Sequence, residues 1–370
     1  MTAIENFIQQ IVSTGSEIID KPGFIICKVT NSNKPMYLRE LILPEDLFIK
    51  LELAVKEKFG ENGLTALYAA GKNFGYNYSK ISDFTKYEKT NEKEFVEFFE
   101  FFMNYMKSWW LSDYTYRFDF EKKKAEIEFS NYLICRKSGV GKIIKEGCMA
   151  GFFAFLFNDK TIEAKQIECQ GRGAKKCKTI YSPTENLNEK QETKIKEKEY
   201  NAQTYNQINE TKPLNYSKLS LKDLMYSKTL KYEQGILTAN GLRHFLIGSD
   251  FIYDLEDEMK KLDGGQTLYY AAKEFGQKIV KQDNLEITAY FELLSAFGWG
   301  DFSITSENGE QSIVLTHYPW FKEIKNHDGI IISGILSGII SKIKGINLNL
   351  KVVKKDITDQ LYLVLRENND

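Results

Sequence analysis

The chain has 370 residues, enough for two domains of ordinary size, and its 42% hydrophobic and 14% aromatic content can fill a core in each. Charge nearly cancels, with Lys+Arg 50 against Asp+Glu 51, and no long basic run occurs, which argues against direct nucleic-acid binding. The opening MTAIENFIQQIV has an early Glu and lacks the apolar core of a secretory leader, and the longest apolar run, 330–340, is too short to span a bilayer. A cytoplasmic protein with thiols rather than a disulfide framework is therefore expected.

In chain order, an amphipathic helix is predicted at the front, followed by strands at 24–30 and 36–42. Apolar residues at helical spacing predict a long helix near 44–59 and another from Leu64. The latter carries LYAAGKNFG (67–75), whose Ala69, Ala70 and Gly71 suit close helix packing. A third helix is predicted over 92–110. YTYRFDF and AEIEFSNYLI then alternate as half-buried antiparallel strands do. A helix interrupts at 142–158, and TIEAKQIEC and CKTIY close the sheet. Helices packed on an antiparallel sheet make an α+β unit.

The whole series then recurs. LYAAGKNFG matches LYYAAKEFG (268–276), so Leu67, Tyr68, Lys72, Phe74 and Gly75 return as Leu268, Tyr269, Lys273, Phe275 and Gly276. YLRELILPED (37–46) matches GLRHFLIGSD (241–250) through Arg39 and Arg243, and the helix near 44–59 is matched at 249–262. WLSDYTY (110–116) matches WGDFSI (299–304). IEFSNYLIC (127–135) matches IVLTHYPWF (313–321), placing His317 opposite Asn131 and Tyr318 opposite Tyr132. CMAGFFAFLF (148–157) is set against IISGILSGII (331–340), with Gly151 opposite Gly334. Five matches in one order predict a tandem duplication. The stretch 183–218 is rich in Glu, Lys, Asn, Gln and Thr and is expected to be a solvated linker. The domains are thus predicted as 1–182, linker 183–218, and 219–370. Identical units usually pair about a two-fold axis, so the two copies are expected to form a pseudo-dimer within the chain.

Cys135, Cys148, Cys169 and Cys177 gather in the last third of the first copy. Cys169 and Cys177 flank a tight loop, QGRGAKK, whose hairpin would return both to one ion. Zinc accepts four thiolates in tetrahedral array, while four buried core cysteines are the other reading of the same spacing. Phe321, Ile331, Val353 and Leu361 are placed at the matching positions of the second copy, all apolar. Cys27, in FIICKV, reads as core. SGVGKI (138–143) is not a phosphate-binding loop, because Arg136 stands where the first Gly is needed and Ile143 replaces Ser or Thr.

The stretch 146–181 resembles the closing motif of the 4-vinyl-reductase-type domain: Cys148, Gly151, the Glu168–Cys169 pair, a Gly turn at Gly171 or Gly173, then Cys177. RELILPED and LYAAGKNFG fit that family's front half. The resemblance covers most of 24–181 and runs more weakly over 228–365, where the cysteines are missing. It implies a small-molecule-binding domain similar in fold to TRAPP vesicle-tethering subunits and prone to pair. It also implies structural zinc on Cys148, Cys169 and Cys177, with Cys135, Glu128 or Glu168 as the fourth ligand.

Catalytic chemistry is sparse: His244, His317 and His327 all lie in the second copy, and no catalytic residues are assigned. Aromatic residues crowd two predicted helices. Phe102, Tyr105, Trp109 and Phe152 are taken as walls of an apolar pocket, and Lys72 as a contact for an acidic group on its ligand. The sequence thus reads as a sensor or carrier of an apolar or aromatic molecule. A protein partner or a homo-oligomer is compatible with it. The alternatives are an accessory protein or enzyme of tetrapyrrole-type reduction, or a ligand-free interaction scaffold.

Overall fold

A computed structural model describes residues 17–29, 36–107, 109–133, 143–187, 192–198, 216–233, 236–280, 286–307, 310–319, 327–356 and 362–367. The front helix, Cys135 and Phe321 fall outside these residues. The chain is α+β: three antiparallel sheets packed with helices.

The largest sheet is shared by the two halves. A Pro22–Gly23 turn, with Gly23 at φ 77°, folds β1 (Glu17–Lys21) back on β2 (Phe24–Val29), and β3 (Met36–Pro44) follows. In the second half β8 (Leu230–Glu233) and β9 (Ile236–Ala239) precede β10 (Leu242–Gly248). Asn240 and Gly241, at φ 54° and 78°, make the β9–β10 hairpin turn that Asn-Gly favours. The sheet order is β1-β2-β3-β10-β9-β8. At its seam Glu40 pairs Gly248, Ile42 pairs Leu246 and Pro44 pairs His244. With Arg39 equivalent to Arg243, that register is symmetric about the Ile42–Leu246 pair, so the halves are related by a local two-fold axis.

Helix α1 (Glu45–Ile81) is two helices joined through Gly60, which alone leaves helical geometry at φ 55°, ψ −136°. This is where the sequence placed the gap between its two predicted helices. The second half separates them as α6 (Asp250–Lys260) and α7 (Gly265–Ile279), following the short α4 (Thr184–Leu187) and α5 (Leu221–Tyr226). Helix α2 (Glu92–Lys107) corresponds to α8 (Ile287–Ala296), and α3 (Ile143–Leu156) to α9 (Ile330–Lys344).

Each half ends in a four-stranded sheet of the same topology. The first runs β4 (Asp113–Asp119), β5 (Lys124–Ser130), β7 (Cys177–Pro183), β6 (Ile162–Glu168). The second runs β11 (Asp301–Glu307), β12 (Glu310–Thr316), β14 (Tyr362–Glu367), β13 (Leu350–Asp356). Both carry one register shift, between Gln166 and Glu168 and between Val352 and Lys354. Asn131 and His317 both take left-handed φ, 51° and 57°, just after their strands, so His317 is a turn residue and not a strand position.

Glycines fix how the helices cross. A Cβ on Gly71 or Gly75 of α1 would stand 2.1 Å from the Ile144 carbonyl or 1.9 Å from that of Cys148. One on Gly147 or Gly151 of α3 would stand 2.1 Å from the carbonyl of Tyr68 or of Lys72. In the second half Gly276 faces Ile335, Gly334 faces Tyr269 and Gly338 faces Lys273. Since Tyr68 and Lys72 are equivalent to Tyr269 and Lys273, Gly147 matches Gly334 and Gly151 matches Gly338. The sequence pairing of Gly151 with Gly334 is therefore one helical turn out of register. Both helices repeat Gly at i and i+4, so a one-turn slip preserves the pattern. The equivalent of Cys148 is Ile335, not Ile331. Cys177 pairs Phe129 as Leu363 pairs Leu315, and the shared bulge sets Cys169 against Lys355. Val353 is therefore not the equivalent of Cys169, and Leu361 lies outside the described residues.

Part of the expected solvated linker is held down. Residues 192–198 run against α1, where Asn73 Oδ1 accepts the Lys196 amide and Asn77 Oδ1 that of Lys198, both within 2.9 Å. Asn77 Nδ2 donates to the Lys196 carbonyl, and Lys198 reaches Asp254 at 2.6 Å. These polar partners replace the apolar burial that the segment's composition lacks.

Candidate functional site

A cavity of ≈ 50 Å³ lies at the seam of the shared sheet, on the first-half side. Its walls are Phe74, Gly75, Tyr78 and Ser79 of α1, Phe102, Tyr105 and Met106 of α2, Cys148, Met149 and Phe152 of α3, together with Glu40, Phe84 and Trp110. The second half completes it with Leu246, Ile247 and Gly248. The local two-fold axis places β10 beside β3, so each half supplies a strand to the other's cavity. Phe102 stacks on Phe152 at 4.2 Å, and Phe84 sits edge-on to both. These rings leave room for a few atoms, where a benzene-sized guest needs about 150 Å³.

Polar groups are few. Glu40 is 1% exposed and accepts a 2.9 Å hydrogen bond from the Tyr78 hydroxyl. Burial pushes its carboxyl up to about 8, with a smaller push from Asp250. It is therefore mostly neutral at pH 7 and able to donate as well as accept. Burial also raises Tyr78 and Tyr105 well above the phenol range and the Cys148 thiol to about 12, so this cysteine is not a nucleophilic thiolate. Beside the cavity, the fully buried Lys145 Nζ lies 3.0 Å from the Trp110 ring centroid, with no hydrogen-bond partner among the described residues. Burial pulls its amine down to about 7. In the sequence Lys145 shares its otherwise apolar helix with Glu146 alone, and nothing there distinguishes it as buried.

Phe102, Tyr105 and Phe152 line this cavity. Trp109 does not: it is buried beside Tyr105 and Tyr232, while its neighbour Trp110 forms the wall and donates its indole N–H to the Leu246 carbonyl. Lys72 is not available to a ligand here. Its ammonium is fully buried and committed to Glu163 at 2.7 Å and to the carbonyls of Lys160 and Thr193. Tyr68 also donates to Glu163, so the pair pins α1 to the start of β6. In the second half Lys273 meets Asn347 and Asn349 instead, a neutral version of the same pin.

Cys169 and Cys177 are buried at the two ends of the β6–β7 hairpin turn, where the Gln170 amide donates to Cys177 Sγ at 3.4 Å. Cys148 lines the cavity. Among the described residues no three His, Cys, Asp or Glu side chains stand together as a metal-ligand group. Cys27 is buried in β2.

A second cavity of ≈ 40 Å³ occupies the two-fold-related place. His244 stands for Glu40, Phe275 for Phe74, Tyr290 for Phe102, Leu294 for Met106, Ile335 for Cys148 and Ile339 for Phe152, and the first half contributes Ile42, Pro44 and Leu47. No helix among the described residues is long and apolar enough to cross a membrane.

No family model matches the chain, and no curated protein matches it. Among solved structures it is similar to the phenol-responsive sensory domain of the transcription activator PoxR with phenol, at 14% identity over 49% of this chain and 90% of that one, with a TM-score of 0.33.

Proposed function

We propose that the chain is a small-molecule-binding protein of the 4-vinyl-reductase type, a sensor or carrier whose ligand sits in the first cavity. The observation that carries this reading is a buried Glu40 hydrogen-bonded by Tyr78 inside a mostly apolar, aromatic-rich cavity. A carboxyl maintained in apolar surroundings is unfavourable unless something is gained from its hydrogen bonds. It suits a compact apolar or aromatic molecule bearing one neutral polar group. Because residues of both halves wall the cavity, occupancy would tighten the seam between them, which is the coupling a sensor needs. Native mass spectrometry of the purified full-length chain, beside Met106→Trp, tests this. A bound organic mass lost in the variant supports it; a ligand-free wild type that takes up no aromatic alcohol or phenol refutes it.

Structural zinc belongs to the same proposal, on Cys169 and Cys177 with Cys135 and Cys148 as further donors. The support is the hairpin that carries both thiols and the Gln170 amide aimed at one of them, since backbone amides stabilise thiolate charge. When bound, zinc would tie the hairpin to its neighbours. Elemental analysis of wild type beside Cys169→Ser decides it: about one equivalent lost in the variant supports the site, and no metal in either protein refutes it.

A further inference from the structure

We propose that the second cavity is a ligand site of its own, for a compact neutral hydrocarbon carrying one hydroxyl group. It does not depend on the reading of the first cavity. Its wall is mostly apolar, from Phe275, Leu293, Leu294, Ile335 and Ile339, with His244, Tyr290, Asn240 and Trp299 as its polar side chains. The Tyr290 hydroxyl is buried, at 3% exposure, and has no hydrogen-bond partner among the described residues. His244, 5% exposed, places Nδ1 2.9 Å from the Leu242 carbonyl. Burial lowers His244 to about 4, so the ring is neutral at pH 7. With the proton on Nδ1 donated to that carbonyl, Nε2 is an acceptor with no hydrogen bond among the described residues.

A buried hydroxyl left unpaired is unfavourable, and native structures leave few of them without cause. A ligand hydroxyl meets both needs: it donates to His244 Nε2 and accepts from Tyr290. No Lys, Arg, Asp or Glu lines the cavity, so carboxylates, phosphates and ammonium groups gain nothing there. The first cavity differs in this respect, because its Glu40 already holds Tyr78. The second half has therefore kept the space and changed its polar chemistry, with His244 in place of Glu40 and Tyr290 in place of Phe102. As it stands, ≈ 40 Å³ admits a few atoms, and half-buried Leu293 is the side chain placed to yield to a ring.

Fluorine NMR titration of the full chain with 4-fluorophenol tests the proposal. Met106→Trp fills the first cavity, and Leu294→Trp fills the second at the equivalent position. The expected result is one site retained by Met106→Trp and lost in Leu294→Trp. Tyr290→Phe, which deletes one buried oxygen, should weaken that site roughly tenfold for 4-fluorophenol and leave fluorobenzene unchanged. Circular dichroism checks folding, and Tyr290→Phe stays decisive if a tryptophan variant does not fold. A Met106→Trp protein that is folded yet binds no 4-fluorophenol overturns the proposal and leaves the first-cavity reading standing. So does a Tyr290→Phe protein with wild-type affinity at every site. If the wild type binds only at the second site, the first-cavity reading fails alone.

Discussion

Replacing Gly75 by Ala should destabilise the protein, against the usual effect of that change in a helix. In an exposed helix interior Ala is favoured over Gly by about 1 kcal/mol. Here the new Cβ would lie 1.9 Å from the Cys148 carbonyl oxygen, where 3.4 Å is ordinary contact. That oxygen belongs to the backbone of α3 and cannot swing away, so α1 and α3 must part by roughly 1.5 Å. Parting them also loosens the contacts at Gly71, Gly147 and Gly151. Overpacking of this kind costs about 1–3 kcal/mol, and with backbone on both sides the upper end applies. Subtracting the propensity gain leaves about 2 kcal/mol, a fall of about 2–3 °C in thermal midpoint for a chain of this length at about 2.1 cal/mol/K of unfolding entropy per residue. Gly276→Ala, facing the Ile335 carbonyl at 2.2 Å, should behave alike. Gly265→Ala is the control, because only the flexible Ile330 Cδ1 lies near, at 3.2 Å. Scanning calorimetry reads all three. A Gly75→Ala protein melting at or above wild type would refute the close crossing.

The other predictions concern buried charge. Lys145 titrates near 7 in the fold and near 10.5 when unfolded, so its contribution to stability rises with pH between those values. Lys145→Met removes that dependence, and in urea melts its gain over wild type should be largest at pH 7 and shrink toward pH 9; a gain that grows with pH refutes the assignment. Glu40, near 8 when folded and 4.5 when unfolded, does the reverse: it lowers stability progressively from pH 4.5 to 8. Glu40→Gln should therefore gain on wild type across that window and hold level above it, and an unchanged pH profile would count against a neutral carboxyl. Lys72→Met removes the only ammonium paired with the buried Glu163 among the described residues, leaving the Tyr68 hydroxyl and the Thr193 amide as its donors, and should cost about 3 kcal/mol. Lys273→Met strands only two neutral amides and should cost about 1–2 kcal/mol by the same denaturant assay, so equal losses would refute the distinction.

The sequence revealed what repeats and missed what partners. Arg39 and Arg243, Lys72 and Lys273, and the helices LYAAGKNFG and LYYAAKEFG are legible because identical residues recur in the same order, at offsets that drift only from 204 to 201. The α3–α9 register was not, since Gly147-x3-Gly151 and Gly334-x3-Gly338 look the same after a shift of one turn; only the carbonyls of Tyr68 and Tyr269 that they face distinguish the alternatives. Lys72 reads as a ligand contact in the sequence because a repeated lysine on an apolar helix has no visible partner there. Its reason is Glu163, which lies 91 positions away in sequence. Phe102, Tyr105 and Phe152 could be placed at a cavity from aromatic density alone. Glu40 and the strand Leu246–Gly248 could not, because they reach it only through the pairing of β3 with β10.

That pairing also explains why the halves have diverged without separating. Arg39 donates to the Gly298 carbonyl of the second half, and Arg243 to the Asn131 carbonyl of the first, so each arginine secures the other half's turn. Trp110 likewise donates across the seam to Leu246, and Ile42 to Phe297. In a symmetric pair of identical chains, any change at the seam appears twice and must suit both sides. Joining the two copies removes that constraint. Glu40 beside Tyr78 can then line one cavity while His244 and Tyr290 line the other, and Lys145, whose two-fold equivalent is Ile332, can occupy an aromatic enclosure of Trp110, Phe245 and Phe251. The duplicated chain therefore holds two chemically distinct spaces on one seam, something a dimer of either copy could not do.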